Sequence, residues 1–484
     1  MTPDQVEGIP RGRWSRQGGY REVLALAIPL ILSRGAISIQ HFVDRVFLTW
    51  HSPEAVASAA GGGMVSFLML TIFIATAGYT STFVAQYHGA RRDDRIGPAV
   101  WQGIYVAAVG GAVQLLLIAP AGGLFELIGH EEVVQQHETA YFRILCLGAA
   151  PAIAGAAMSG FFAGRGRPWP TVAVTGLQTG LNMLLDYGLI FGKWGLPAMG
   201  VEGAATATVI SACFSCALYW ALMMRARYDQ TYHTWRGRRL DVWLFRRLVR
   251  FGLPFGVQFF LDLAGFTVFV LLVGRLGTTS LAATTITFNI NSLNFLPMVG
   301  FGVAVSVLVG RRLGENKPEL AARSTYSALH LTVGYTAVVA ALFLFAPGIF
   351  LRFFGARADP ESFAVLRETV VVLLRFVAVY CVFDGMCIVL ASALRGAGDT
   401  RFVMGLVIAV SGLVLVIPNV IALGVMGVGV YAGWTFVAAY IIVLAFGLLA
   451  RFLGGKWKSM RVIEEAPAFV PPQLPETPPA GAEP

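Results

Sequence analysis

Four aspartates lie inside long apolar runs: Asp44 in Phe42-Val43-Asp44, Asp186 four residues after Asn182, Asp262 eight residues after Pro254, and Asp384. A carboxylate in such surroundings costs ~2.5–3.5 kcal/mol to insert into a bilayer, so each asks for a reason. At their spacing Asn182 and Asp186 share one helix face. They offer carboxylate and amide oxygens on a single turn, a donor set that suits Na⁺ or a proton held on a buried carboxylate. Asp44 has no easy partner in its own helix. Neighbouring Arg45 points away from it, and Arg34, ten residues back, is ~15 Å off along the axis. Unpaired intramembrane carboxylates mark ion or substrate paths. Asp262 and Asp384 offer a second acidic cluster. Arg143 and Arg375, each near a helix start, read instead as snorkelling residues.

Other chemistries lack their residues. His130-Glu131-Glu132 does not extend to H-E-x-x-H, and neither P-loop spacing nor a G-x-S-x-G elbow occurs. Cys213 and Cys216 have CxxC spacing without a second pair, and all five cysteines lie in apolar stretches as small buried residues. The stripe Phe288, Phe295 and Met298 reads as helix packing. The expectation is a protein that is not an enzyme and carries no cofactor, whose work is driven by an ion gradient or a partner.

The elements that must hold these carboxylates follow from composition. Of 484 residues, 56% are hydrophobic and 13% charged, about half the charge of a soluble domain. A water-soluble enzyme and an intrinsically disordered chain are both excluded. A helical span needs ~20 mostly apolar residues. Unbroken runs such as 104–120 and 336–347 favour helices over the alternating pattern of a β-barrel. Twelve spans are expected, at 22–48, 55–88, 98–120, 138–164, 169–192, 203–224, 249–274, 281–310, 324–347, 368–393, 402–424 and 428–452.

The net charge of +9 falls in loops after even-numbered spans. That pattern marks cytoplasmic loops rather than nucleic-acid binding, and it puts both termini in the cytoplasm. Residues 1–21 read as a cytoplasmic N-terminal segment and 225–248 as a basic cytoplasmic connector between lobes 22–224 and 249–452. The Pro-rich tail 453–484 reads as disordered. The lobes repeat. Pro29 and Pro254, and Gly89 and Gly314, are 225 residues apart; Gly164-Arg165-Gly166 meets Leu394-Arg395-Gly396 at an offset of 230, and Gly200 meets Gly427 at 227. Equivalent positions keep one orientation, so the repeat is parallel, about an axis along the membrane normal. The fold class expected is an all-α polytopic membrane protein, with twelve transmembrane helices in two pseudo-symmetric six-helix lobes around a central cleft.

Taken in order, several motifs resemble the multidrug and toxic compound extrusion (MATE) family of secondary transporters. In the first lobe they are Pro29 with Phe42-Val43-Asp44, and Asn182-Met-Leu-Leu-Asp186 leading through Phe191-Gly192 into Gly200-Val-Glu-Gly-Ala-Ala-Thr-Ala-Thr208. In the second they are Pro254 with Asp262, Phe295-Leu-Pro-Met298, Gly310-Arg-Arg-Leu-Gly-Glu315, and Asp384 ahead of Leu394-Arg395-Gly396. The resemblance implies a V-shaped cleft and export of organic, cationic compounds in exchange for Na⁺ or H⁺. It implies an ion-binding cluster of Asp44, Asn182, Asp186 and Thr208, and binding of Na⁺ or a cationic drug at Asp262 and Asp384. It implies small organic substrates and the inner membrane, with no obligatory protein partner. Arg34 departs from the pattern as a positive charge that could neutralise a cleft carboxylate. The rival reading is a lipid-linked saccharide flippase of the same broader superfamily, which needs basic residues deep in the spans to hold pyrophosphate.

Overall fold

A computed structural model describes residues 14–355 and 360–464. The first thirteen residues and 465–484, most of the expected tail, lie outside the described part. The first half holds α1 (Tyr20–His51), α2 (Pro53–Gly78), α3 (Thr80–Gly89), α4 (Ile96–Leu116), α5 (Ala121–Ile128), α6 (Glu132–Leu147), α7 (Ala149–Gly164), α8 (Trp169–Phe191) and α9 (Gly200–Met223). After the short α10 (Ala226–Tyr232), the second half holds α11 (Val242–Gly274), α12 (Thr278–Gly314), α13 (Pro318–Phe345), α14 (Pro347–Gly355), α15 (Pro360–Ala397), α16 (Thr400–Val410), α17 (Ile417–Asn419) and α18 (Val430–Leu453). No strand occurs among the described residues.

Among the described residues, ten helical stretches are long and apolar enough to cross a membrane. An eleventh is α6 with α7, bent by 46°. The bend falls where Pro151 has no N–H to give back to the preceding turn. The twelfth span is α8, as long as its neighbours at 23 residues. It stays outside the hydropathy count because Thr171, Thr175, Gln178, Thr179, Asn182 and Asp186 dilute it. Residues 242–248, read as connector from sequence, form the first turns of α11. The span from 400 is wound more loosely, with π-helical turns at Ser411–Val416 and Val420–Val425 on either side of Pro418. Apolar side chains such as Leu116 and Phe446 face outward, as lipid contact requires.

The repeat holds at the level of individual turns. Arg91 and Asn316, 225 residues apart, are both non-glycine residues in the left-handed region (φ 56° and 57°). The next residue in each turn closes back in the same way, Arg92 N–H to the Tyr87 oxygen (2.9 Å) and Lys317 N–H to the Arg312 oxygen (2.8 Å). Between the fourth and tenth spans, however, the true register is 232 rather than 230. Gly166 and Gly398 share the positive φ (72° and 102°). Gly164 then pairs with Gly396, and they lie against the carbonyls of Ser81 and Ser306 respectively.

The halves meet along α1 with α12 and α2 with α11, one contact being the repeat of the other. Small residues allow the approach: a Cβ on Gly300 would lie 2.5 Å from Ile31, and one on Gly256 would lie 2.4 Å from the Ile72 oxygen. The hydrogen bonds described between the halves all lie toward the basic face, where both ends of the described chain lie. They include Tyr79 Oη to the Arg395 oxygen (2.6 Å), Gln86 Nε2 to the Gly396 oxygen (2.9 Å) and Arg312 to Glu22 (2.6 Å).

Residues 454–464, which composition assigned to the tail, are packed onto this face. Trp457 is fully buried and stacks on Phe452 at 4.8 Å. Val462 and Ile463 join the apolar core of the first half. The Val462 N–H donates to Gln86 Oε1 (2.8 Å), and Arg247 donates to the carbonyls of Val462 and Ile463. The Glu464 carboxylate accepts from the Tyr87 hydroxyl (2.7 Å) and pairs with Arg92 and Arg95.

Candidate functional site

In the first half, α1 and α8 run side by side in register. Ser33 donates to Thr175 across a separation of 142 residues (3.0 Å). Two helical turns further, Gln40 meets Asn182 (3.1 Å) at the same separation. One turn beyond that, Asp44 faces Asp186, again in the same register. Phe47 closes the row against Tyr187 and Phe191, with ring centroids 5.8 and 6.1 Å away. A seven-residue step on both helices brings side chains back to the same seam, which is why one register carries the whole row.

At the centre, the Asn182 amide turns its nitrogen to both acids, donating to Asp44 Oδ1 (3.0 Å) and Asp186 Oδ2 (3.1 Å). The Asn182 amide thus sits between the two acids, and carboxylates held this close repel unless a proton or cation lies with them. Asn182 and Asp186 are fully buried and Gln40 nearly so, while the Asp44 side chain is 16% exposed. Asp44 is therefore the more exposed member of the pair, and His41 stands beside it at 4.0 Å. Asp186 Oδ1 is buried without a protein partner.

The structure thus brings together Asp44, Asn182 and Asp186. Thr208, on α9, is half-buried, and no described hydrogen bond joins it to them. Arg34, exposed on α1, makes no described ion pair with any of these acids.

The second half is built differently. Asp262 on α11 accepts from the Tyr440 hydroxyl of α18 (2.8 Å) and from Gln258 Nε2 (3.4 Å). Asp384 on α15 is half-buried and within electrostatic reach of Asp262, with no amide bridging the two. Gln258 Oε1, Asn291 Oδ1 and both amide atoms of Asn294 are buried without a described hydrogen-bond partner. Of the expected packing stripe, Phe288 packs on Trp434 at 5.0 Å and on Phe266 at 6.0 Å and Met298 is fully buried, whereas Phe295 is exposed on the surface of α12.

Gln40, Gln258 and Tyr440 were not anticipated from sequence. The first two carried a signal. Gln40-x3-Asp44, Asn182-x3-Asp186 and Gln258-x3-Asp262 are one spacing used three times, an amide one turn before an acid. Tyr440 gave none, being one aromatic among many in an apolar span. Arg143 donates to the Ile118 oxygen in the turn after α4 (3.3 Å), a structural role.

Comparison with known proteins adds the family. The chain is 32% identical to "Probable multidrug resistance protein NorM" of Bradyrhizobium diazoefficiens over 467 residues, covering 93% of this chain and 97% of that one. It is 30% identical to "Multidrug resistance protein PmpM" of Pseudomonas aeruginosa over 412 residues, 82% of each. Among solved structures, one described as the outward-facing conformation of a multidrug resistance MATE family transporter of the MOP superfamily superposes with a TM-score of 0.82. It does so at 19% identity, covering 94% of this chain and all of that one. The MatE family profile matches twice, over residues 29–188 and 254–421, one match on each half of the repeat. The chain is an integral membrane protein and belongs to the MatE family of transporters.

Proposed function

We propose that this protein is a multidrug efflux antiporter of the inner membrane, exporting organic cations in exchange for H⁺ or Na⁺. The observation that carries the reading is the pair Asp44 and Asp186 joined by Asn182, with Asp44 the more exposed of the two. In a low-dielectric wall such a pair neutralises either a small cation or an organic cation, but not both together. Entry of the coupling ion at Asp44 therefore favours release of the organic cation, and return of the emptied protein to the other face favours its rebinding. Among the described residues, hydrogen bonds between the halves gather at one face, which supports alternating access by rocking of the two halves. By the loop charges this face is the cytoplasmic one, so rocking would open the opposite face to the outside. The multidrug resistance names of the NorM and PmpM relatives support drug export.

The test is uptake of a fluorescent organic cation into proteoliposomes under an imposed pH or Na⁺ gradient. Uptake driven by one gradient and lost in Asp44→Asn upholds the reading and identifies the ion. Uptake that Asp44→Asn and Asp262→Asn both leave unchanged rejects exchange at the carboxylates.

A further inference from the structure

At the basic face, a cavity of about 350 Å³ lies between α1, the α7–α8 turn and α10. Arg165, Arg167 and Arg227 line it, together with Trp169 and Tyr228, and no acidic residue does. Arg165 is only 5% exposed. Its guanidinium packs on the Phe161 ring at 3.7 Å and beside Tyr228 and Tyr232 at 4.7 Å. Its Nε donates to the Phe161 oxygen (2.9 Å), and its Nη2 is buried without a partner. Arg167 makes no described ion pair, and Arg227 is spent only on the neutral Tyr228 hydroxyl (2.9 Å). The nearest acid in sequence, Asp229, accepts instead from the backbone N–H groups of Trp235 and Arg236 (2.7 and 3.0 Å).

The other half shows what a self-sufficient version of this turn looks like. In the register of 232, Asp399 stands where Arg167 does, and it is bonded to Arg451 at 2.7 Å. The first half has three cations and no counterion in the same place. Trp169, 61% exposed at the start of α8, sets the depth of the cavity at the headgroup layer, where exposed tryptophans collect. Planar guanidiniums bind phosphate oxygens in pairs, and basic pockets between spans on this face suit anionic headgroups.

We propose that the Arg165/Arg167/Arg227 cavity binds a phosphate group, the chemistry shared by an anionic phospholipid headgroup and free phosphate. Bound there, it ties α10 of the connector to α1 and to the α7–α8 turn.

The test uses full-length protein stripped of lipid in neutral detergent. Its melting temperature is followed on adding phosphatidylglycerol, phosphatidylcholine or inorganic phosphate, with retained lipid read by native mass spectrometry. Phosphatidylglycerol is expected to raise the melting temperature by about 2 °C or more, and phosphatidylcholine to leave it unchanged. The double variant Arg167→Gln/Arg227→Gln should bind phosphatidylglycerol roughly tenfold more weakly, and Arg401→Gln, on the same face, should bind as before. An equal rise with inorganic phosphate, lost in the same double variant, upholds the site and assigns it to soluble phosphate. No rise with either phosphate source, or a rise that the double variant keeps, overturns the proposal. Arg165→Lys keeps the buried charge and loses the planar edge, so it should fold yet lose most of the shift.

Discussion

Gly89 and Gly314, 225 residues apart, each lie where the other half brings in a backbone carbonyl. A Cβ on Gly89 would fall 2.1 Å from the Arg311 oxygen, and one on Gly314 would fall 2.2 Å from the Gln86 oxygen. Gln86 and Arg311 are themselves 225 residues apart, so this is one contact made twice across the repeat axis. Backbone on both sides leaves nothing soft to yield, and the ends of α3 and α12 can close on each other only through glycine.

Gly89→Ala and Gly314→Ala should each cost about 1–3 kcal/mol in the state described here, as overpacking does. A lower melting temperature and reduced transport are expected from both. Gly405→Ala, at a helical glycine with open space around its Cβ position, should be neutral or slightly stabilising. Equal behaviour of the three variants in thermal unfolding would contradict this account of the contact.

Asn182→Ala removes the donor that Asp44 and Asp186 share. Gradient-driven uptake should fall by roughly tenfold or more, the scale of a buried charged hydrogen bond, in protein that still inserts and folds. Thr208→Ala, at a residue no described hydrogen bond connects to the pair, should change uptake by less than about twofold. Initial rates in proteoliposomes check both, and the reverse ranking would move the ion site toward α9.

Tyr440→Phe leaves the Asp262 carboxylate with Gln258 as its remaining described donor. A loss of about 1–2 kcal/mol in stability is expected, together with an altered affinity for organic cations. A binding titration by ligand fluorescence beside thermal unfolding separates the two effects. An unchanged melting temperature and affinity would show that the hydroxyl does not position Asp262.

How far these features could be read from the chain depends on the kind of signal each one leaves. Spans announce themselves through summed hydropathy, and positions such as Pro29 and Pro254 through their fixed offset. The α8 span is the instructive case. The residues that make it functional are the ones that lower its hydropathy, yet Asn182 and Asp186 reveal themselves by being polar where lipid is expected. Gln40 escaped because a single uncharged amide in an apolar run is commonplace, and only its pairing with Asn182 across 142 residues gives it meaning. The offset of 230 failed by two residues because Gly-x-Gly recurs at neighbouring places, and backbone conformation alone distinguishes Gly396 from Gly398. The packing of 461–464 was hidden by the proline-rich composition that follows it.

Glu464 gives the basic face a pH-dependent fastening. Burial pushes its carboxyl up, but the Tyr87 hydroxyl and the Arg92 and Arg95 guanidiniums outweigh burial and hold it below the ordinary glutamate range. A depressed carboxyl stabilises the fold above its unfolded value, and that stabilisation is lost as pH falls through the folded one. Glu464→Gln should therefore lower the melting temperature at neutral pH, and the gap to the unaltered protein should hold down to about pH 4 and close only as pH falls further, below the ordinary glutamate value. A gap that stays constant with pH would place the effect in packing rather than charge.

The docked segment from Trp457 to Glu464 also changes how the two halves are joined. Without it, they would share one covalent link, the connector. With it, the end of the last span returns to the first half beside that link, and the chain becomes a loop fastened twice along a single edge. Like a book sewn at the spine, such a molecule has one margin that holds its pages and another that is free to part. Severing the chain between 233 and 240 would remove one row of stitches and leave the other in place.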